Sequence, residues 1–360
     1  MKVLYFAVDD SDYPRNRSIR LRLEADGHEV VVLRKRRTGS YVSRGMSLLR
    51  EALVLSRGDR RYDVILLAEF SAQYSPFAWL ASRLFSATFV HDYFVGLIET
   101  NVEDWSTFSA RSPRGRIHGL LDRLAIRLPD LVIRDTSPRT RDTLRKTSAC
   151  VATFPVESPP WATWLGPSPA KDVPTVLFYG NFIPLHGIPT ILKATVGLPI
   201  NLQIIGRGPG RNALEREYGG PARNVVFEEP VSEDLLVQRI RAADVVLGVF
   251  GASTKAATVI PNKVWQGLSS GRVVITRRSD AYLDLPILGA GEQLIQVPEE
   301  DPAALRAALQ DVIDSRIYRQ QFSESDQVVR DYVDATWRDL SKEIVRQVHQ
   351  KQERGRGRGR

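Results

Sequence analysis

The sequence predicts an α/β protein built as two Rossmann-like domains. Short apolar runs alternate with stretches of helical periodicity, the mark of parallel strands joined by crossover helices. The alternation halts in a proline-rich stretch near the middle and then restarts. At 360 residues the chain also exceeds what one hydrophobic core usually serves.

Val3 to Val8 is apolar without interruption, as a strand covered on both faces should be. A loop from Asp9 to Asn16, a helix through Ile19 and Leu23, a stop at Gly27 and a strand from Val30 to Leu33 complete one βαβ unit. Further strands are expected at Val64–Ala68, Thr88–Val90 and Leu131–Ile133, which sets a first domain over 1–165. Prolines 155, 159, 160, 167, 169 and 174 mark a linker. A second domain over 170–325 follows, with strands at Val176–Tyr179, Leu202–Ile205, Val225–Phe227, Val245–Gly248 and Val273–Thr276. Residues 326–349 read as a helix, and the Gly/Arg-rich end, 350–360, as a disordered basic tail.

The composition is that of an ordinary globular protein, 43% hydrophobic and 26% charged. A lone cysteine, Cys150, offers neither an internal disulfide nor a CxxC metal site. With no leader-like start and no long apolar span, a cytoplasmic protein is expected. The net charge of +8 is uneven: residues 1–170 hold 25 Lys+Arg against 19 Asp+Glu. Met46, Leu48, Leu49, Leu53 and Leu55 lie among Arg44, Arg50, Arg57, Arg60 and Arg61 at helical spacing. Such a segment either packs on its own sheet or lies on an anionic membrane surface, here a peripheral position on the inner face of the plasma membrane. Nucleic acid is not an expected partner, since three Gly-Arg repeats are few.

Ligands of open parallel sheets bind beyond the strands' carboxyl ends, so the loops of the second domain are where chemistry is expected. The first, Gly180-Asn181-Phe182-Ile183-Pro184-Leu185-His186-Gly187, suits a phosphate held by backbone amides. Gly206-Arg207-Gly208 allows close backbone approach, and Glu228-Glu229-Pro230-Val231 precedes a helix capped by Ser232. The stretch from Gly251 to Gly271 is the most informative. Pro261 starts a helix with Asn262 and Gln266 on one face and Lys263 beside them, an anion site with carboxamides for hydroxyls. In the first domain, Asp9, Asp10, His91 and Asp92 end strands.

The motifs YGNFIPLHG, IIGRGPG and TVIPNKVWQGLSSGRVVIT, with YPRN, HDYFVGLIETNVEDW and RDT in the first domain, resemble those of the GT-B retaining glycosyltransferases of family four, the glycosyl transferases group 1. The resemblance spans about residues 1–320 and implies two Rossmann-like domains facing across a cleft. The first would bind a glycan, lipid-linked or small-molecule acceptor and the second a nucleoside diphosphate sugar, a co-substrate rather than a cofactor. Where the family has Arg and Lys on the diphosphate this chain has Asn181 and His186, and its two glutamates match Thr258 and Gln266. Lys263 and Lys255 then supply the positive charge. His91, Asp92, His186 and Lys263 are the expected catalytic residues. Gly180, Asn181, Gly187, Gly206, Gly208, Pro230, Val231, Lys255, Thr258, Asn262 and Gln266 are expected to bind the donor. No metal is implied: the Asp9-Asp10-Ser11-Asp12 run follows the first strand, in the domain that should not hold the donor. A nucleotide-sugar epimerase and a non-catalytic sugar-nucleotide-binding protein are the alternatives.

Overall fold

The computed structural model describes all residues except 37, 57–60, 106, 157–158, 170, 221–223, 286–291, 321 and 358–360. The chain forms two compact units, one of Met1–Pro155 with Asp334–Arg360, the other of Val156–Val333.

The first unit runs β1 (Lys2–Val8), α1 (Pro14–Ala25), β2 (Glu29–Arg34), α2 (Tyr41–Leu55), β3 (Val64–Leu67), α3 (Ser75–Phe85), β4 (Thr88–Asp92), α4 (Pro113–Arg127), β5 (Leu131–Arg134), α5 (Ser137–Leu144) and β6 (Cys150–Thr153). Its six strands are parallel in the order β2-β1-β3-β4-β5-β6. The uninterrupted apolar runs are buried on both faces, as in β1 and β3.

The second unit runs β7 (Thr175–Tyr179), α6 (Ile188–Thr195), β8 (Asn201–Ile205), α7 (Arg211–Tyr218), β9 (Val225–Glu228), α8 (Glu233–Ala242), β10 (Val245–Leu247), α9 (Asn262–Ser269), β11 (Val273–Arg277), β12 (Leu294–Val297) and α10 (Pro302–Ser315). Its sheet, also parallel, has the order β12-β11-β10-β7-β8-β9. The chain thus builds outward in opposite directions from two central strands in each sheet: β1 and β3 in the first, β7 and β10 in the second. At such a reversal the loops diverge and leave a crevice beyond the strand ends.

The last helix departs from expectation. Instead of ending at 349 it runs as α11 over Ser325–Gly357, so residues 350–357 of the expected disordered tail are helical. Lys351 anchors this stretch, its ammonium donating to the Ala87 carbonyl and to Asp130, both at 2.7 Å. Within the first unit Trp337 packs edge-on against Phe154 at 5.3 Å and donates to Asp26 at 3.0 Å.

The basic, leucine-rich segment forms α2, and most of its apolar side faces protein. Leu48 and Leu49 are buried in the first unit's core and Leu55 packs against it. Met46 and Leu53 are each 40% exposed. Arg57 and Arg60 lie outside the described residues.

Candidate functional site

In the second unit the reversal lies between β7 and β10, so the loops after these strands and the start of α9 flank one crevice. Three loops meet there backbone to backbone. Gly206 has φ +154°, and a Cβ on it would lie 2.0 Å from the Gly180 carbonyl oxygen. Gly251 is as tight against Pro184, where a Cβ would come within 2.1 Å of the carbonyl oxygen. Glycine is therefore required for the loops to close on one another.

Lys263, the second residue of α9, is 5% exposed. Its Nζ sits 4.4 Å from the Phe178 ring centroid and has no hydrogen-bond partner. Burial lowers its pKa to about 7. A Cβ on Gly180 would lie 3.1 Å from this nitrogen and 2.8 Å from His186 Cε1, so Gly180, His186 and Lys263 surround one small volume. No side chain caps α9, and its first residue, Asn262, is half-buried. Gln266, one turn on, accepts a 2.6 Å hydrogen bond from the Tyr179 hydroxyl.

His186, an expected catalytic residue, carries no positive charge. Burial first, then Lys263 and Lys255, hold its pKa well below the ordinary value, so the ring is neutral. Nδ1 donates to the Asn181 carbonyl, which leaves Nε2 as an acceptor. A neutral ring with Nε2 as acceptor cannot donate to an anionic oxygen, but it can receive a hydroxyl proton. The Thr258 hydroxyl donates within its own turn to the Thr254 and Lys255 carbonyls. Gly187 caps α6 with a left-handed backbone, and Gly208 packs against Phe182. Pro230 and Val231 follow β9, two strands out from β7. Lys255 lies half-buried in the loop before α9.

The first unit overturns the expected roles of His91 and Asp92. His91 is 1% exposed, and its ring bonds the Ala125 carbonyl at 2.7 Å inside the core. Burial lowers its pKa to about 4, which makes it a neutral structural histidine. Asp92 is fully buried in a two-oxygen ion pair with Arg15, whose Nε and Nη2 reach its carboxylate at 2.6 to 3.0 Å. Arg15 also donates to the Phe154 and Pro155 carbonyls. Asn16, its neighbour in YPRN, bridges the Tyr5 hydroxyl, the Asp10 carbonyl and Glu69, each at 2.7 Å. The motifs of this unit thus bind one another.

Sequence reasoning missed Phe178, the ring beneath Lys263, and Glu69. Phe178 reads only as one more apolar residue of a strand. Glu69 stands just past the apolar run of β3, and a carboxylate at that position was the available signal. Among the described residues, no group of three or more His, Cys, Asp or Glu side chains could hold a metal ion.

Residues 173–315 match the family model described as Glycosyl transferases group 1. No curated protein matches the sequence. Among solved structures, sucrose-phosphate synthase from Thermosynechococcus elongatus is similar with a TM-score of 0.69 and 17% identity, over 97% of this chain and 98% of that one. The Anabaena protein HepE, in complex with UDP-glucose, is similar with a TM-score of 0.65 and 12% identity, over 95% and 100% of the two chains. The lipopolysaccharide outer core galactosyltransferase WaaB is similar with a TM-score of 0.62 and 14% identity, over 96% and 99%. These likenesses show the GT-B fold, and nothing among them favours the epimerase alternative. Residues 173–315 are a glycosyl transferases group 1 domain, and the chain that carries them is a glycosyltransferase.

Proposed function

We propose that the enzyme moves a sugar from a nucleoside diphosphate sugar to a glycan, lipid-linked or small-molecule acceptor, with retention at the anomeric carbon. The diphosphate takes the place beside Lys263. One observation carries this reading: a buried ammonium without a partner at the mouth of a helix. An isolated buried cation is costly, and an anion at that helix start relieves the cost.

The transition state gathers negative charge on the departing diphosphate and positive charge on the sugar. In this reading Lys263 and the first amides of α9 stabilise the former. The neutral His186 ring, accepting through Nε2, orients a donor hydroxyl. HepE is similar in fold and forms a complex with UDP-glucose, which makes UDP-glucose the first donor to try. Nucleoside diphosphate release from a panel of sugar nucleotides tests the reading, with a folded Lys263→Met variant as control. No release from any donor, or wild-type turnover in the variant, would reject it.

We place the enzyme in the cytoplasm, at the anionic inner surface of a membrane. The support is α4, where Arg114, Arg116, Ile117, Leu120, Arg123 and Arg127 are exposed and the one carboxylate, Asp122, accepts from the Leu97 and Ile98 amides. Ile117 and Leu120 are 57% and 53% exposed, and each arginine near such a surface adds about 1 kcal/mol. No described helix is long and apolar enough to cross a membrane. Vesicle flotation should show salt-sensitive binding to anionic lipid only; equal flotation with neutral vesicles would remove this assignment.

A further inference from the structure

The first unit has its own reversal point, between β1 and β3, and the loops there carry a group of aromatic rings that the reading above does not use. Tyr13 follows β1, Phe70 follows β3 and Phe94 follows β4. Phe70 meets Tyr13 edge to face, with centroids 5.6 Å apart, and meets Phe94 in the same way at 5.8 Å. Phe70 is nevertheless 39% exposed. Its backbone sits at φ +50°, a left-handed conformation costly for a bulky side chain. Ala7, at the end of β1, is likewise left-handed at φ +61°, and Ser71 donates to its carbonyl at 2.8 Å. Strain of this kind persists where the surroundings enforce it, and here it holds a large apolar ring partly in solvent at the edge where α/β sheets bind ligands.

Polar groups lie in the same loops. Glu69, adjacent in sequence, is 2% exposed; Asn16 donates to Oε1, and Oε2 has no partner. The same Asn16 amide donates to the Asp10 carbonyl, which places the exposed Asp10 loop beside it. A hydrocarbon chain on Phe70 would satisfy none of these groups. A pyranose has an apolar C–H face for the ring and hydroxyls at its rim for carboxyl groups, and so suits both.

We propose that Phe70, supported by Tyr13 and Phe94 and flanked by Glu69 and Asp10, is the platform on which the first unit binds a saccharide acceptor. This rests on the transferase reading for its catalytic consequence but not for binding. Phe70 stacks on the sugar, and the carboxyl groups take its hydroxyls.

The test uses the full chain, with nucleoside diphosphate release from the sugar nucleotide that is turned over measured against methyl hexopyranosides and disaccharides. Phe70→Ala should raise the saccharide KM about tenfold while leaving acceptor-free donor hydrolysis unchanged, and Phe70→Trp should restore it. A wild-type saccharide KM in Phe70→Ala would overturn the platform, as would stimulation by long-chain alcohols alone. Saturation-transfer NMR with the same methyl hexopyranosides supplies an arm independent of transfer. Saturation of ring C–H protons in the wild type and not in Phe70→Ala supports the proposal even if no donor is turned over, in which case only the transferase reading falls. No saturation in the wild type overturns it.

Discussion

If Lys263 meets the donor diphosphate, donor binding must take up a proton. In the free protein burial lowers the lysine pKa to about 7, so half of the molecules carry the charge at that pH. At pH 9 only about one in a hundred does, and a diphosphate that keeps the lysine charged must supply the difference. The donor Kd should therefore weaken about fiftyfold between pH 7 and pH 9, or about 2.3 kcal/mol. Calorimetry at pH 8 in buffers of different ionisation enthalpy should give about 0.9 proton taken up per UDP-glucose bound. UDP-glucose suits the assay because its diphosphate does not titrate over this range. Lys263→Met should bind weakly at both pH values with no proton uptake. Folding gives the opposite trend: unfolded chains hold the lysine proton to higher pH, so the ligand-free protein should gain stability as pH rises from about 7 towards 10. At pH 6, Lys263→Met should accordingly melt higher than the wild type while binding donor worse. A flat donor Kd with no buffer dependence would show that Lys263 does not face the phosphates.

Arg15→Ala should cost about 3–5 kcal/mol in urea unfolding, because Asp92 is then left charged and buried, whereas a surface ion pair would cost under about 1 kcal/mol. His91 carries a pKa of about 4 when folded, so the unfolded chain binds more protons between about 4 and 6.5, and stability falls as pH drops through that window. His91→Gln should flatten this dependence, worth up to about 3 kcal/mol, and superposable curves for the two proteins would refute it. Gly206→Ala places a methyl group within 2.0 Å of the Gly180 carbonyl and should weaken donor binding at least about tenfold; an unchanged Kd would show that the loops separate without consequence.

Most strands were legible because a strand covered on both faces must be apolar throughout, as Val64 to Leu67 is. Two of the four edge strands, β6 and β12, were not. Cys150–Thr153 is half-buried along its length, and Leu294–Val297 mixes buried and exposed positions, so neither shows a continuous run. Lys263 was legible from Pro261 and the helix start, but its neutralising burial over Phe178 was not, since a strand phenylalanine announces nothing about what lies above it. His91 and Asp92 illustrate the limit more sharply. Adjacent strand residues point to opposite faces, and the sequence does not say that a carbonyl of α4 awaits one and that Arg15 awaits the other. Nor does it contain strand order, which decides which loops flank a crevice.

The first unit is made of the chain's two ends. Its final helix supplies Trp337 to a seat on Phe154 and Asp26, Asp334 to Arg22, and Lys351 to Ala87 and Asp130. During synthesis every strand of that unit leaves the ribosome before any of these partners exists. The second unit can close on itself while the first still waits, with the seat of Trp337 uncovered until the last residues arrive. A premature stop just after Val333 would then spare the second unit, which adjoins it, and damage the unit whose strands are encoded farthest from it. Loss of function from such a truncation should therefore appear first as proteolysis near the amino terminus.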